Sequence, residues 1–219
     1  MKHLRTLTLL TALTLLTTIS LPASAQRFSL GFRDGVSLSW LAGIENTLPL
    51  AGFYVGVTAD YMVSDNWAVG IDATLAEQGA QCLPNGDDVA MTYSFDYLNI
   101  PVLARYCLPF GSDQLLTLSA GAQVGLFLLG SYEYTAPSVL GDEMISGNGY
   151  LDSSSFHPMD FGIVAAVEYG MGDFSIEARY TLGITQTHNG ISNTLNGYYY
   201  ISVPDNRNSV FQLGTVYRF

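Results

Sequence analysis

An all-β fold of eight long antiparallel strands is what this sequence predicts, and three observations predict it. Apolar and polar residues alternate with period two over runs of about ten to fifteen residues, with no helical periodicity between them. The runs are longer than the roughly 5–6 residues of an ordinary globular strand. The connections between them alternate between short and long.

The eight runs are residues 28–41, 52–63, 67–79, 93–106, 115–131, 156–169, 174–187 and 209–219. Segments 64–66, 107–114 and 170–173 are the short connections. Segments 42–51, 80–92, 132–155 and 188–208 are longer and rich in Gly, Ser, Asn, Asp and Pro. Hairpins that are short at one end and long at the other describe an up-and-down barrel, with both chain ends on the short-turn side. A tilted strand of about 9–11 residues crosses a bilayer, which these runs can do. The expected fold is therefore an eight-stranded antiparallel up-and-down transmembrane β-barrel over residues 26–219.

Residues 1–25 are expected to be a cleaved signal peptide. Lys2, His3 and Arg5 form a basic start, an apolar run follows, and Ala23-Ser24-Ala25 supplies an A-x-A cleavage site. No stretch after it stays apolar for 18 residues, so no transmembrane helix is expected. Beyond residue 25 the basic residues are all arginine, at 27, 33, 105, 179, 207 and 218, and they face 19 acidic residues, for a formal charge of −13. A chain this acidic offers no basic patch to nucleic acid. Cys82 and Cys107 fall at opposite ends of neighbouring strands, too far apart for a disulfide. No cysteine–histidine metal motif is present, and no cofactor or metal is expected.

Alternation assigns two faces to each strand. In the third run Val69, Ile71, Ala73 and Leu75 oppose Gly70, Asp72 and Thr74. In the fourth, Leu98, Ile100, Val102, Ala104 and Tyr106 oppose Asn99, Pro101 and Arg105. In the sixth, Phe161, Ile163 and Val167 oppose Asp160, Gly162 and Glu168. In the seventh, Ile176, Tyr180 and Leu182 oppose Glu177, Arg179 and Thr181. A soluble sandwich would turn the apolar set inward; a membrane barrel turns it outward. The polar sets are small, glycine-rich and charged in both signs, which suits a narrow lumen filled by its own side chains. Charges there need partners. Asp72, Arg105, Asp160, Glu168, Glu177 and Arg179, with Arg218, are thus expected to form a lumen ion network. Aromatics near the run ends, among them Trp40, Tyr54, Tyr61, Trp67, Tyr93, Tyr106, Tyr169, Tyr217 and Phe219, suit interfacial girdles. Pro101 lacks a ladder donor, so a bulge or a missing hydrogen bond is expected there.

The pattern Tyr-Leu-x-Ile-Pro-x-Leu-x-Arg/Lys-Tyr at residues 97–106 resembles the signature strand of the Bacteroidetes-type outer-membrane β-barrel domain, often called PorT-like. Asp160-Phe161-Gly162, with Glu177-Ala178-Arg179-Tyr180 and Gly183-Ile184, is similar to that family's late hairpin. Residues 210–219 are similar to its last strand. The resemblance implies an outer-membrane location and an embedding lipid bilayer. It also implies recognition of the C-terminal strand, ending in Phe219, by the outer-membrane assembly machinery. It implies no particular activity.

A non-enzymatic protein is the expected function. An eight-strand lumen is too narrow for general solute diffusion. What remains is a structural, anchoring or loop-mediated recognition role in the cell envelope. The segments 132–155 and 188–208 are the candidate surfaces for an envelope or extracellular partner, the second carrying Tyr198, Tyr199 and Tyr200. One alternative is an outer-membrane lipase or protease using the rim histidines His157 and His188, with Ser153, Ser154, Ser155 and Asp160 near the first; residue types without geometry do not make a triad. The other is a secreted soluble barrel that binds a small ligand, which membrane fractionation would distinguish.

Overall fold

The computed structural model describes residues 27–42, 47–82, 90–137, 144–151, 157–186, 191–195, 199–203 and 207–219. The expected signal peptide, His188 and Tyr198 lie outside the described residues, as do Ser153, Ser154 and Ser155. The described residues form eleven strands: β1 (Phe28–Ala42), β2 (Thr47–Met62), β3 (Trp67–Cys82), β4 (Ala90–Phe110), β5 (Gln114–Pro137), β6 (Met144–Tyr150), β7 (Met159–Met171), β8 (Phe174–Gly183), β9 (Ile191–Leu195), β10 (Tyr199–Val203) and β11 (Arg207–Arg218). Eight of them close a ring in the order β1, β2, β3, β4, β5, β7, β8, β11 and back to β1, every neighbour antiparallel. β1 and β11 join the two ends of the chain, pairing Gly31 with Arg218 and Ala42 with Arg207.

The short turns form one end of the barrel. Gly111 and Gly172 take φ of 76° and 61° there, a left-handed geometry that side chains resist. At the other end the structure corrects the expected loops. Part of segment 132–155 is β6, which extends the barrel wall by pairing with the upper half of β5. Part of segment 188–208 is a separate β9–β10 hairpin. Several strands also start earlier or run later than the alternation suggested, and β5 is the clearest case. Its pairing with β4 shifts register between Asp96 and Tyr97, and Leu128 is the extra residue. Such a bulge reverses which parity faces outward. Period-two alternation breaks phase at that point although the strand continues.

The two faces exchange character along the barrel. From Trp67 to Leu75 the outward residues of β3 are apolar and exposed, as are Val102 on β4, Phe161, Ile163 and Val167 on β7, and Ile176 and Leu182 on β8. This belt is about nine residues tall, the length a tilted strand needs to cross a bilayer. Above it the outward residues turn polar: Glu77 follows Leu75, Asp96 and Ser94 precede Leu98, and Ser131 and Glu133 follow Leu129. The inward face does the opposite. Its upper part is an apolar cluster of Leu41, Ala80, Met91, Tyr93, Phe95, Tyr97 and Leu151, with Phe127, Tyr132 and Tyr134 against it. The extension above the belt is thus built like a water-exposed sheet over an apolar core.

Aromatics ring the short-turn rim of the belt. Phe28, Tyr61, Trp67, Phe110, Tyr169, Phe174, Tyr217 and Phe219 all point outward. Trp67 packs on Tyr106 at 4.9 Å and Phe110 on Tyr169 at 6.1 Å between ring centroids. Tyr54 and Tyr93, expected in the girdles, are instead buried inside, because their parity on β2 and β4 is the lumen's.

Leu98, Ile100, Val102, Ala104 and Tyr106 face outward, and Asn99, Pro101, Leu103 and Arg105 inward. The expected bulge is not at Pro101, where pairing with Gln123 of β5 is regular. The fault lies on the other side. Pairing of β4 with β3 lapses for two residues, Pro101 and Ile100, between Val102–Ile71 and Asn99–Thr74, without a change of register. The Cys107 amide donates to Asn66 O, so odd-numbered amides of β4 point at β3. Proline at 101 removes one of them.

Candidate functional site

Four arginines and four carboxylates meet in the lower lumen. Asp72 on β3 is the centre. Its carboxylate accepts from Arg33 on β1, from Arg105 Nη2 on β4 at 2.7 Å and from Arg179 Nη2 on β8 at 2.6 Å. Thr58 Oγ1 adds a fourth hydrogen bond at 2.7 Å. Glu177 pairs with Arg33 and, at 3.0 Å, with Arg179 Nε. Arg218 bridges Asp60, at 3.0 Å, and Glu168. Arg105 completes the chain with Nε 2.8 Å from Asp60 Oδ1, an ion pair set off the line of a directed hydrogen bond.

Side chains from β1, β2, β3, β4, β7, β8 and β11 therefore converge in one buried network whose formal charges balance. Buried ions persist only when paired, and arginine's planar fork suits shared carboxylates. Glycine makes the space. A Cβ at Gly70 would collide with Arg105 Nε and with the Asp60 carboxylate, so the pair needs glycine opposite it. Arg33 also lies 5.7 Å from the ring centre of Tyr54, a cation–π contact above the ion layer.

Six of the seven expected network residues, Asp72, Arg105, Glu168, Glu177, Arg179 and Arg218, are in this cluster. Asp160 faces inward but stands apart, opposite Gly125 near the top of β7, and no ion pair joins it to an arginine among the described residues. Its strand places it on the same face as Glu168 but eight residues further from the short-turn end. Arg33 and Asp60 are the members that sequence reasoning missed. β1 carries charge on both faces, at Arg33 and Asp34, while on β2 the available signal was that Asp60 shares the parity of Tyr54 and Thr58.

The remaining candidates are scattered. His157 is partly exposed just before β7. Tyr199 and Tyr200 belong to β10, whose side chains lie outside the description. Cys82 and Cys107 are unpaired, at opposite ends of the barrel. In the upper cluster Tyr93 is buried against its apolar neighbours, and burial raises its phenol above the ordinary range. Among the described residues no group of three or more His, Cys, Asp or Glu could hold a metal ion.

A search of curated proteins finds no match. Solved structures with a similar outline include the outer membrane protein OprG from Pseudomonas aeruginosa, 15% identical over 88% of this chain and 94% of that one, with a TM-score of 0.49. The attachment invasion locus protein Ail of Yersinia pestis, in complex with the heparin analogue sucrose octasulfate, is 15% identical over 89% of this chain and 100% of that one, at 0.42. The outer membrane protease OmpT of Escherichia coli is 10% identical over 91% and 99%, at 0.41. The assignment rests on none of these. Residues 22–189 match the family model described as the outer membrane protein beta-barrel domain. With the closed ring and the apolar belt, that match makes the chain a member of the outer-membrane β-barrel family, embedded in the lipid of the outer membrane.

Proposed function

We propose that this protein is a non-enzymatic outer-membrane anchor whose extended strands carry a recognition surface outside the bilayer. The observation that carries the reading is the reversal of polarity along β3, β4 and β5. Outward residues change from Leu75, Leu98 and Leu126 to Glu77, Asp96 and Glu133 within a few positions, so the wall continues into water as a polar sheet. A concavity of about 420 Å³ on that sheet is lined by Glu77, Asp96, Glu133, Asn148 and Tyr150 among others. The acidic lining favours partners of the opposite charge.

The interior supports a sealed barrel rather than a channel. The ion layer fills the lower lumen and Tyr93, Phe95 and Tyr97 fill the upper part. Purified protein reconstituted in a planar bilayer is expected to show no stepwise conductance. Channel steps of reproducible size would overturn the sealed reading. Incubation of the folded protein with phospholipid and with peptide is expected to release no product, and hydrolysis abolished by His157→Ala would favour the barrel-hydrolase reading instead.

Two finer assignments belong to the same proposal. The motif at residues 97–106 supports a PorT-like member of the Bacteroidetes type. The last strand, with alternating Phe211, Leu213, Thr215, Tyr217 and terminal Phe219, supports recognition by the outer-membrane assembly machinery.

A further inference from the structure

The lipid-facing belt holds one charged side chain among the described residues. Asp34 on β1 is exposed and points away from the lumen. Phe32 and Val36 flank it along β1, Val55 faces it on β2 and Thr215 on β11. Phe28 and Trp40 lie six residues to either side, and Trp40 packs on Tyr180 at the upper rim. Asp34 therefore stands close to the middle of the hydrocarbon layer.

That position is unfavourable for a carboxylate. Thr215 Oγ1 donates one hydrogen bond to Asp34 Oδ1 at 2.6 Å. A carboxylate accepts about four, and acyl chains donate none. Charged groups on a barrel's lipid face destabilise it in a depth-dependent way, and those kept within a membrane usually serve a function. Asp34 takes no part in the lumen network, whose carboxylates all lie on the opposite side of the wall.

We propose that Asp34 is the contact point for a second, different outer-membrane protein. Its lipid-facing wall would bring a cationic side chain to mid-depth against β1 and β11. Charge complementarity selects this occupant. A second copy of the chain has no cation on its described belt, and a two-fold contact would set Asp34 against Asp34. Lipid headgroups lie about half a bilayer away, roughly 15 Å.

The test places photoreactive p-benzoyl-phenylalanine at Val36 in the full chain, expressed and irradiated in the outer membrane. One discrete adduct with another outer-membrane protein is expected. Asp34→Glu should keep it, and Asp34→Leu should lower its yield about tenfold, the worth of one charge-assisted hydrogen bond. In lipid vesicles, isolated Asp34→Leu should resist urea at least as well as the wild type, because the carboxylate serves the partner and not the lone barrel. Adducts only with lipid, only with a second copy, or undiminished by Asp34→Leu would overturn the proposal. So would a loss of vesicle stability in Asp34→Leu.

Discussion

Asp72 accepts from three arginines at once, and the lumen depends on that sharing. Asp72→Ala leaves Arg33, Arg105 and Arg179 each short of an acceptor in a buried layer. Breaking a buried ion pair costs about 3–5 kcal/mol, and urea unfolding in lipid vesicles should read a loss of that order. Asp160→Asn deprives no arginine and should cost roughly 1 kcal/mol, the scale of one ordinary hydrogen bond. Much of this site was legible. Asp72, Glu168, Glu177 and Arg179 each stand among small or polar residues of one parity, opposite an apolar set. Arg33 was not legible, because Asp34 is next to it. With a charge on each face of β1, parity cannot say which one is inside; closure of β1 on β11 decides it.

The belt and its extension divide single strands. Ile71 is at the middle of the belt stretch of β3, and Thr92 on β4 stands on the same outer face above it. Ile71→Arg should destabilise by about 2–4 kcal/mol, the cost of arginine on a barrel's lipid face at mid-depth. Thr92→Arg should fall within about 0.5 kcal/mol of wild type, as ordinary surface changes do. Equal effects in vesicle unfolding would mean that the boundary is not where Leu98 gives way to Asp96. The belt segments were readable from period two. The extensions were not, because the bulge at Leu128 inverts parity and the reversal of polarity then looks like the end of the pattern. Pro101 was half readable: its missing donor is a property of the residue, but which neighbour loses the bond follows from the register of β4.

Closure is a property of the whole chain. β1 pairs with β11 across almost the full sequence, and without β11 both β1 and β8 would present open edges to lipid. Open edges do not persist in hydrocarbon. A chain ending before Arg207 should therefore fail to reach the compact state, seen as the absence of a heat-modifiable band on a gel. A folded band from that truncation would show that seven strands suffice. The same closure balances the lumen charge, since β11 supplies Arg218 to Asp60 and Glu168.

Sequence alone determined the number of belt strands, the face that most of them, though not β1, present to lipid and most of the buried charges. All three follow from local alternation, which needs no knowledge of partners. Tertiary structure decided the rest. It chose which carboxylate shares which arginine, separated Asp160 from the network, placed Tyr54 and Tyr93 inside, and made β6 part of the wall. Those outcomes depend on register between strands distant in sequence, and register is set only when the ring closes.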